Sequence, residues 1–168
     1  MSAPATRIYI AGPLGFSELG RMAQKALCDH VLAAGFVPVD PFALAPADQI
    51  QRINDLGSLD SQRDAWRDLS FHIGHLNSQA IEACDAVLAV LDGPDVDSGT
   101  AAEIGYAHAR GKRIVGYRGD FRLAADNIGS TVNLQVEYFI KASGGAIATS
   151  LSDLTRMLQA MSRPSDGA

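Results

Sequence analysis

Residues 85–111 read DAVLAVLDGPDVDSGTAAEIGYAHARG, and this stretch decides the fold class. The apolar run at 86–91 has no polar alternation, which is typical of a parallel strand buried on both faces. Residues 100–109 predict a helix that ends at a glycine. Two carboxylates, Asp97 and Glu103, therefore follow the carboxyl end of a buried strand, where open α/β sheets form their ligand crevice.

Working outward from this stretch, strands alternate with helices along the whole chain. Strands are predicted at 7–11, 36–39, 86–91 and 113–117, with a fifth strand or a turn at 146–149. Helices are predicted at 18–34, 64–83, 100–109, 133–141 and 152–161. The alternation predicts an α/β fold: a doubly wound, flavodoxin- or Rossmann-like parallel five-stranded sheet with helices on both faces.

Two segments lack a clear period. Residues 43–60 mix Ala, Pro and Asp, and we expect an irregular loop with one short helix there. Residues 162–168 predict a disordered tail, so a single domain is expected over 1–161.

Composition excludes several classes of protein. The 168 residues are 47% hydrophobic and 20% charged, as in an ordinary globular domain with a core. A net charge of −5 argues against a nucleic-acid partner. Cys28 and Cys84 sit among apolar residues and predict reduced thiols. The chain shows no membrane-length apolar run and no signal segment, so a cytoplasmic enzyme without membrane contact is expected.

Neither a metal nor an organic cofactor is expected. His72 and His75 are spaced like metal ligands on a helix, but no third ligand motif accompanies them. The segment from Gly12 to Gly15 is not a dinucleotide fingerprint, and no Walker lysine motif is present.

Each candidate site residue has a plainer structural alternative. Glu103 fits a capping box that starts at Thr100, yet a carboxylate held at a helix start beside Gly99 is also a suitable nucleophile. Asp97 suits an Asx-turn or a helix cap, and equally a second carboxylate for proton management. Tyr9 is either a core residue or, near the carboxyl end of the first strand, a residue that reaches the crevice.

At this point the chain resembles the nucleoside 2-deoxyribosyltransferases. The resemblance rests most on DSGTAAEIGYA at 97–107 with Gly111-Lys112. It is supported by IYIAGP at 8–13, ACDAV at 83–87, GYRGDFR at 116–122 and VNL at 132–134.

The resemblance implies a ping-pong transfer of 2-deoxyribose from a 2′-deoxynucleoside to a free nucleobase. Glu103 corresponds to the nucleophile that forms a covalent 2-deoxyribosyl ester, Asp97 to the acid near the leaving base, and Tyr9 to the residue that orients the nucleophile. Asn133 corresponds to a residue contributed to a neighbouring subunit's site, which implies a homo-oligomer. The substrate-binding residues expected on this basis are Gly12, Asp40, Phe42, Asn77, Gly99 and Asn133.

Departures from the family pattern bear on specificity. Some members have an aspartate where Asn77 stands, and some have an amide-bearing residue where Phe42 stands. Together with the SGTAAE pattern, Asn77 favours purine-to-purine exchange.

Two other functions remain open. A hydrolase of the same superfamily would cleave deoxynucleoside 5′-monophosphates and would need a phosphate pocket after the first strand, where this chain offers Gly12, Gly15, Ser17 and Arg21. A non-catalytic nucleotide-binding module would share the fold without turnover.

Overall fold

The computed structural model describes residues 5–123 and 125–161. Its strands form a parallel five-stranded sheet in the order β2-β1-β3-β4-β5. The strands are β1 (Arg7–Ala11), β2 (Val37–Val39), β3 (Ala86–Val90), β4 (Arg113–Tyr117) and β5 (Ile147–Ala148). The predicted doubly wound α/β fold is therefore confirmed.

Helices cover both faces of this sheet. They are α1 (Glu18–Ala33), α2 (Pro41–Leu44), α3 (Ala47–Asn54), α4 (Leu59–Ala83), α5 (Ser98–Ala109), α6 (Leu134–Ala142) and α7 (Leu151–Met161). One core lies between the sheet and α1 and α7, where Leu27 and Leu154 are buried against Leu88. The second core lies under α4, α5 and α6, where Ile104 and Ile140 are buried.

The connections on either side of the sheet centre leave a crevice between β1 and β3. β1 leads through α1 to β2 on one side, whereas β3 leads through α5 to β4 on the other side and on the opposite face. Ligands of open α/β sheets bind outside the carboxyl ends of the strands at such a switch point. The loop after β1 and the start of α5 both meet there.

The structure corrects the prediction for residues 43–60. This segment is largely helical, because it contains α3, the end of α2 and the first residues of α4. The helical signal was hard to read because these helices are short and bury few residues: Pro41 is buried in α2 and Ile53 in α3. Pro41 also sits at the first turn of α2, a position that tolerates proline.

Smaller differences concern the ends of the chain. Residues 147–148 form a strand, which resolves the alternative left open for 146–149. α7 begins at Leu151, one residue before the predicted start, and the Ser150 hydroxyl caps it by accepting from the Asp153 N–H. The single domain over 1–161 stays a prediction, and the predicted tail at 162–168 lies outside the described residues. Within the part of the chain that is described, none of the helices combines the length and apolarity needed to cross a bilayer.

Candidate active site

A hydrogen bond joins β1 to α5 at the floor of the crevice. The Tyr9 hydroxyl donates to Oε1 of Glu103 over 2.6 Å, across 94 positions of sequence. Tyr9 is completely buried, and Glu103 is half-buried. Because Tyr9 lies on a central strand and packs in the core, the position of its hydroxyl is fixed, and Glu103 is oriented by a rigid partner.

Asp97 forms the N-cap of α5. Its Oδ2 accepts from the Thr100 N–H over 2.9 Å and from the Thr100 hydroxyl over 3.1 Å. The capping-box alternative for Glu103 is therefore wrong. Thr100 lies inside the helix, and the Glu103 carboxylate turns towards Tyr9 instead of the helix start. Glu103 is thus free of a capping role, whereas Asp97 serves as a cap with one of its two carboxylate oxygens.

The electrostatics of the pair follow from burial and from these contacts. Burial raises the pKa of Glu103 above its ordinary value, and the negative charge of Asp97 raises it further, whereas the hydrogen bond from Tyr9 lowers it. Burial, and then the charge of Glu103, hold the pKa of Tyr9 well above its usual range. Tyr9 therefore remains a hydrogen-bond donor throughout the physiological pH range.

Glu103 and Asp97 open into a cleft of about 320 Å³. Four further predicted site residues line it: Gly12, Phe42, Asn77 and Gly99. Lining residues that the sequence analysis did not assign to the site include Phe16, Ile50, Ile73 and Thr100. Ile73 and Asn77 are four residues apart on α4, and this spacing was the available sign that they share one face of the helix.

An aromatic wall closes one side of the cleft. Phe42 contacts Phe16 edge-to-face, with ring centroids 5.1 Å apart. It also packs directly on Gly15, where an added Cβ would lie 2.3 Å from the Phe42 ring. Only glycine at position 15 allows this approach, so the Gly15 backbone sets the position of the wall.

Asn77 brings an amide to the cleft. Its Oδ1 is buried without a hydrogen-bond partner. Buried polar atoms in folded proteins are normally paired, so an unpaired amide in a cleft is suited to a polar ligand.

Three predicted site residues do not line the cleft: Asp40, Asn133 and Tyr9, which lies beneath Glu103. Asp40 lies behind Phe42, where its Oδ1 caps α2 through the Phe42 N–H and accepts from the Gln24 amide, each over 3.0 Å. Asn133 caps α6, with Oδ1 accepting from the Gln135 N–H over 3.0 Å. Within one subunit the structure therefore does not bring Asn133 to the other candidate residues.

A buried arginine anchors the loop that carries Asp97. Arg118, only 4% exposed, follows β4 and donates to the backbone carbonyls of Leu91, Gly93 and Arg122. The first two carbonyls belong to the β3–α5 loop, and the third belongs to the loop after β4. The guanidinium thereby ties the two loops together beside the crevice.

Over the described residues, no group of three or more His, Cys, Asp or Glu side chains is placed to hold a metal ion. His72 and His75 are both exposed on α4.

Comparison with known proteins identifies the family of this chain. Residues 8–141 match the sequence profile of the family described as nucleoside 2-deoxyribosyltransferase. The chain belongs to this family. The matched range includes Tyr9, the cleft, both carboxylates and Asn133.

A curated relative of this chain is uncharacterized protein C191.05c of Schizosaccharomyces pombe. It is 34% identical over 127 residues, which are 73% of this chain and 54% of that protein. The chain thus spans about half the length of the curated relative it matches.

Solved structures share the fold. A conserved protein from Enterococcus faecalis V583 is 24% identical with a TM-score of 0.70, and the match covers 94% of this chain and 99% of that one. The 2-desoxiribosyltransferase from Leishmania mexicana is 26% identical with a TM-score of 0.60, covering 92% and 97%. The CMP N-glycosidase BcmB of Clostridium botulinum is 19% identical with a TM-score of 0.54, covering 93% and 99%.

Proposed function

We propose that the protein transfers 2-deoxyribose from a 2′-deoxynucleoside to a free nucleobase through a covalent ester on Glu103. The observation that carries this proposal is the 2.6 Å hydrogen bond from Tyr9, which orients Glu103 at the floor of a cleft beside Asp97. A half-buried carboxylate with a fixed direction of approach is suited to nucleophilic attack at a sugar carbon.

In the first half-reaction, Oε2 of Glu103 attacks C1′, since Oε1 is occupied by Tyr9. The bond from C1′ to the base nitrogen breaks, and its electron pair leaves with the base, which takes up a proton that Asp97 relays from solvent. In the second half-reaction, a nitrogen of the incoming base attacks C1′. The ester bond breaks, Glu103 regains its carboxylate, and the proton of the incoming base returns through Asp97.

The chemistry of the sugar supports a site built from two carboxylates. A 2-deoxy sugar lacks the hydroxyl that withdraws electrons from C1′, so its oxocarbenium-like transition state forms more readily. One ionised carboxylate close to C1′ stabilises the developing positive charge before it forms the ester.

The lining of the cleft favours a neutral nucleoside over a 5′-monophosphate. Among the described residues that line it, none is Lys or Arg, and both charged side chains are carboxylates. A phosphate in this cleft would face Asp97 and Glu103 without a compensating cation. The 5′-monophosphate hydrolase therefore remains the second candidate, supported by the fold that the chain shares with the N-glycosidase BcmB.

For the base, we propose purine-to-purine exchange. Phe16 and Phe42 give the cleft an aromatic wall against which a two-ring base can stack. The Asn77 amide can both donate and accept, which suits the edge of a purine.

We further propose that the active unit is a homo-oligomer in which Asn133 serves the neighbouring subunit's site. Asn133 does not line the cleft of its own chain. The loop before it exposes Phe121, Leu123 and Ile128, which are at least 95% accessible. Large apolar side chains grouped on one loop are typical of a surface that a partner covers.

The proposal is tested by chromatography of the protein incubated with 2′-deoxyinosine, with and without excess adenine. Transfer predicts deoxyadenosine that appears only when adenine is present. Release of hypoxanthine at the same rate without adenine would favour hydrolysis, and the assay is then repeated with 5′-monophosphates.

The non-catalytic alternative is tested with Glu103→Ala. If the chain only binds nucleotides, this variant should bind them as the unmodified protein does. If the chain is an enzyme, the variant should lose turnover while retaining its fold.

A further inference from the structure

A second cleft lies on the opposite face of the sheet from Glu103. It has a volume of about 290 Å³ and is lined by Leu14, Ala23, Ala26, Leu27, Val90, Asp92, Tyr117 and Leu151. Leu27 and Val90 belong to the core under α1 and α7, whereas Tyr9 and Glu103's helix pack in the other core. We name it the far-face cleft.

The far-face cleft is open to small molecules because α1 presents small residues to it. Ala23 and Ala26 are exposed on α1, while Leu27 beside them is buried. A longer side chain at either alanine would occupy the space. The cleft also lies at the carboxyl ends of β3 and β4, the edge at which sheets of this type bind ligands.

The far-face cleft has two polar lining side chains, of which the only charged one is a carboxylate. Asp92 contributes a carboxylate, of which Oδ1 accepts from the Asp120 N–H over 2.9 Å. Tyr117 contributes its phenol, whose pKa is raised by burial and then by the charge of Asp92. No Lys or Arg is among the described residues that line the cleft. The guanidinium of Arg122 is bonded to Asp120, which raises the pKa of Arg122, and the charge of Asp92 raises that pKa further.

We propose that the far-face cleft is a second ligand site, which binds a small aromatic cation carrying paired N–H donors, such as an amidine. The apolar walls take the ring, and the two parallel N–H groups of the cation meet the Asp92 carboxylate. Charge complementarity selects the cation, because the cleft offers one carboxylate with no cation bonded to it among the described residues.

This second site shares a thin wall with the candidate active site. The turn at Leu14–Phe16 presents Leu14 to the far-face cleft and presents Gly15 and Phe16 to the cleft of Glu103. Gly12 lines the cleft of Glu103 and Val90 lines the far-face cleft. The two residues are in close contact, since a Cβ on Gly12 would lie 2.9 Å from the Val90 Cβ. A ligand against Leu14 therefore acts on the same turn that positions the aromatic wall of the active site.

The test uses benzamidine as the probe and neutral benzamide as its isosteric control. Amide chemical shifts of the ¹⁵N-labelled full chain are followed during titration. We expect saturable shifts for Leu14, Phe16, Ala26 and Leu151 with benzamidine, and binding of benzamide that is weaker by about tenfold or more.

Four variants separate this site from the acidic cleft. Asp92→Asn keeps the acceptor for the Asp120 N–H and should weaken benzamidine binding about tenfold. Asp95→Asn, an exposed acid of the same loop outside the cleft lining, should leave binding unchanged. Ala26→Leu should fill the cleft and weaken binding, whereas Glu103→Gln should bind as the unmodified chain does.

Several results would overturn the proposal. They are equal binding of benzamidine and benzamide, unchanged binding by Asp92→Asn, or the absence of saturable shifts up to about 10 mM probe. Shifts confined to the cleft of Glu103 and abolished by Glu103→Gln would assign the probe to the active site instead. None of these results depends on whether the protein transfers deoxyribose.

Discussion

Replacing Tyr9 with Phe removes one buried hydroxyl and leaves the rest of the ring in the core. The lost interaction is the 2.6 Å hydrogen bond to Oε1 of Glu103. A hydrogen bond to a charged group contributes about 1.5–3 kcal/mol, and each 1.4 kcal/mol is tenfold in rate, so kcat/KM should fall by about 10- to 100-fold. Because the loss concerns the orientation of the nucleophile, kcat should account for most of it, with little change in the donor KM.

The pH dependence of the same variant gives a second, independent readout. The Tyr9 hydrogen bond lowers the pKa of Glu103, so its removal raises that pKa. The nucleophile must be ionised, and the acid limb of the pH profile of kcat/KM should therefore move to higher pH in Tyr9→Phe. Initial rates of deoxynucleoside formation, measured from pH 4 to pH 9, report both effects.

A matched control exists on α5, the helix that carries Glu103. Tyr106 also donates its hydroxyl to a glutamate, Glu82, but at the far end of α5 from the cleft. Tyr106→Phe should leave both the rate and the acid limb unchanged. If Tyr9→Phe kept activity within about twofold of the unmodified protein and the acid limb stayed in place, the hydrogen bond would have no orienting role.

Three further predictions concern the same site. Glu103→Gln should raise the melting temperature at pH 7–8. Burial raises the pKa of Glu103, so the native protein loses stability as the pH rises through that pKa. In calorimetry, the advantage of the variant should therefore vanish towards pH 4. Asn133→Ser keeps a capping oxygen and can be mixed with Glu103→Gln in a subunit-exchange assay. In an isologous dimer with shared sites, the mixture should regain about a quarter of the activity of the unmodified protein. No recovery would reject a shared site. Gly15→Ala would put a Cβ 2.3 Å from the Phe42 ring and should raise the KM for the acceptor base about 3- to 10-fold. The control Gly57→Ala, where a Cβ meets open space, should leave this KM unchanged. Equal KM values for the two variants would argue against a role for the aromatic wall.

The fold was predictable because its main signals are local. The buried run before Asp97 and the regular alternation of strands and helices are sufficient for a doubly wound sheet. Residues 43–60 escaped prediction because their helices are short and mostly exposed. α2 has four residues and α3 has eight, so each offers too few apolar positions to be read as a helix, and two prolines at helix starts resemble loop signals.

The site was predictable only where residue type and position agreed. Two carboxylates after a buried strand pointed to the crevice, but sequence left the capping role open between Glu103 and Asp97. The choice depends on Tyr9, which the pairing of β1 with β3 brings to α5 across the sheet. Phe42 was predicted, but its partner Phe16 was missed because their contact joins segments that follow different strands.

The central claim is tested most directly by intact-protein mass spectrometry after a rapid acid quench of the protein with 2′-deoxyinosine and no acceptor base. The account predicts a mass gain of one 2-deoxyribosyl group, located by peptide mapping on Glu103 and absent from Glu103→Gln. Adding adenine before the quench should remove the adduct and yield deoxyadenosine. Base exchange at full rate with no adduct, or an adduct on another residue, would contradict the covalent role of Glu103.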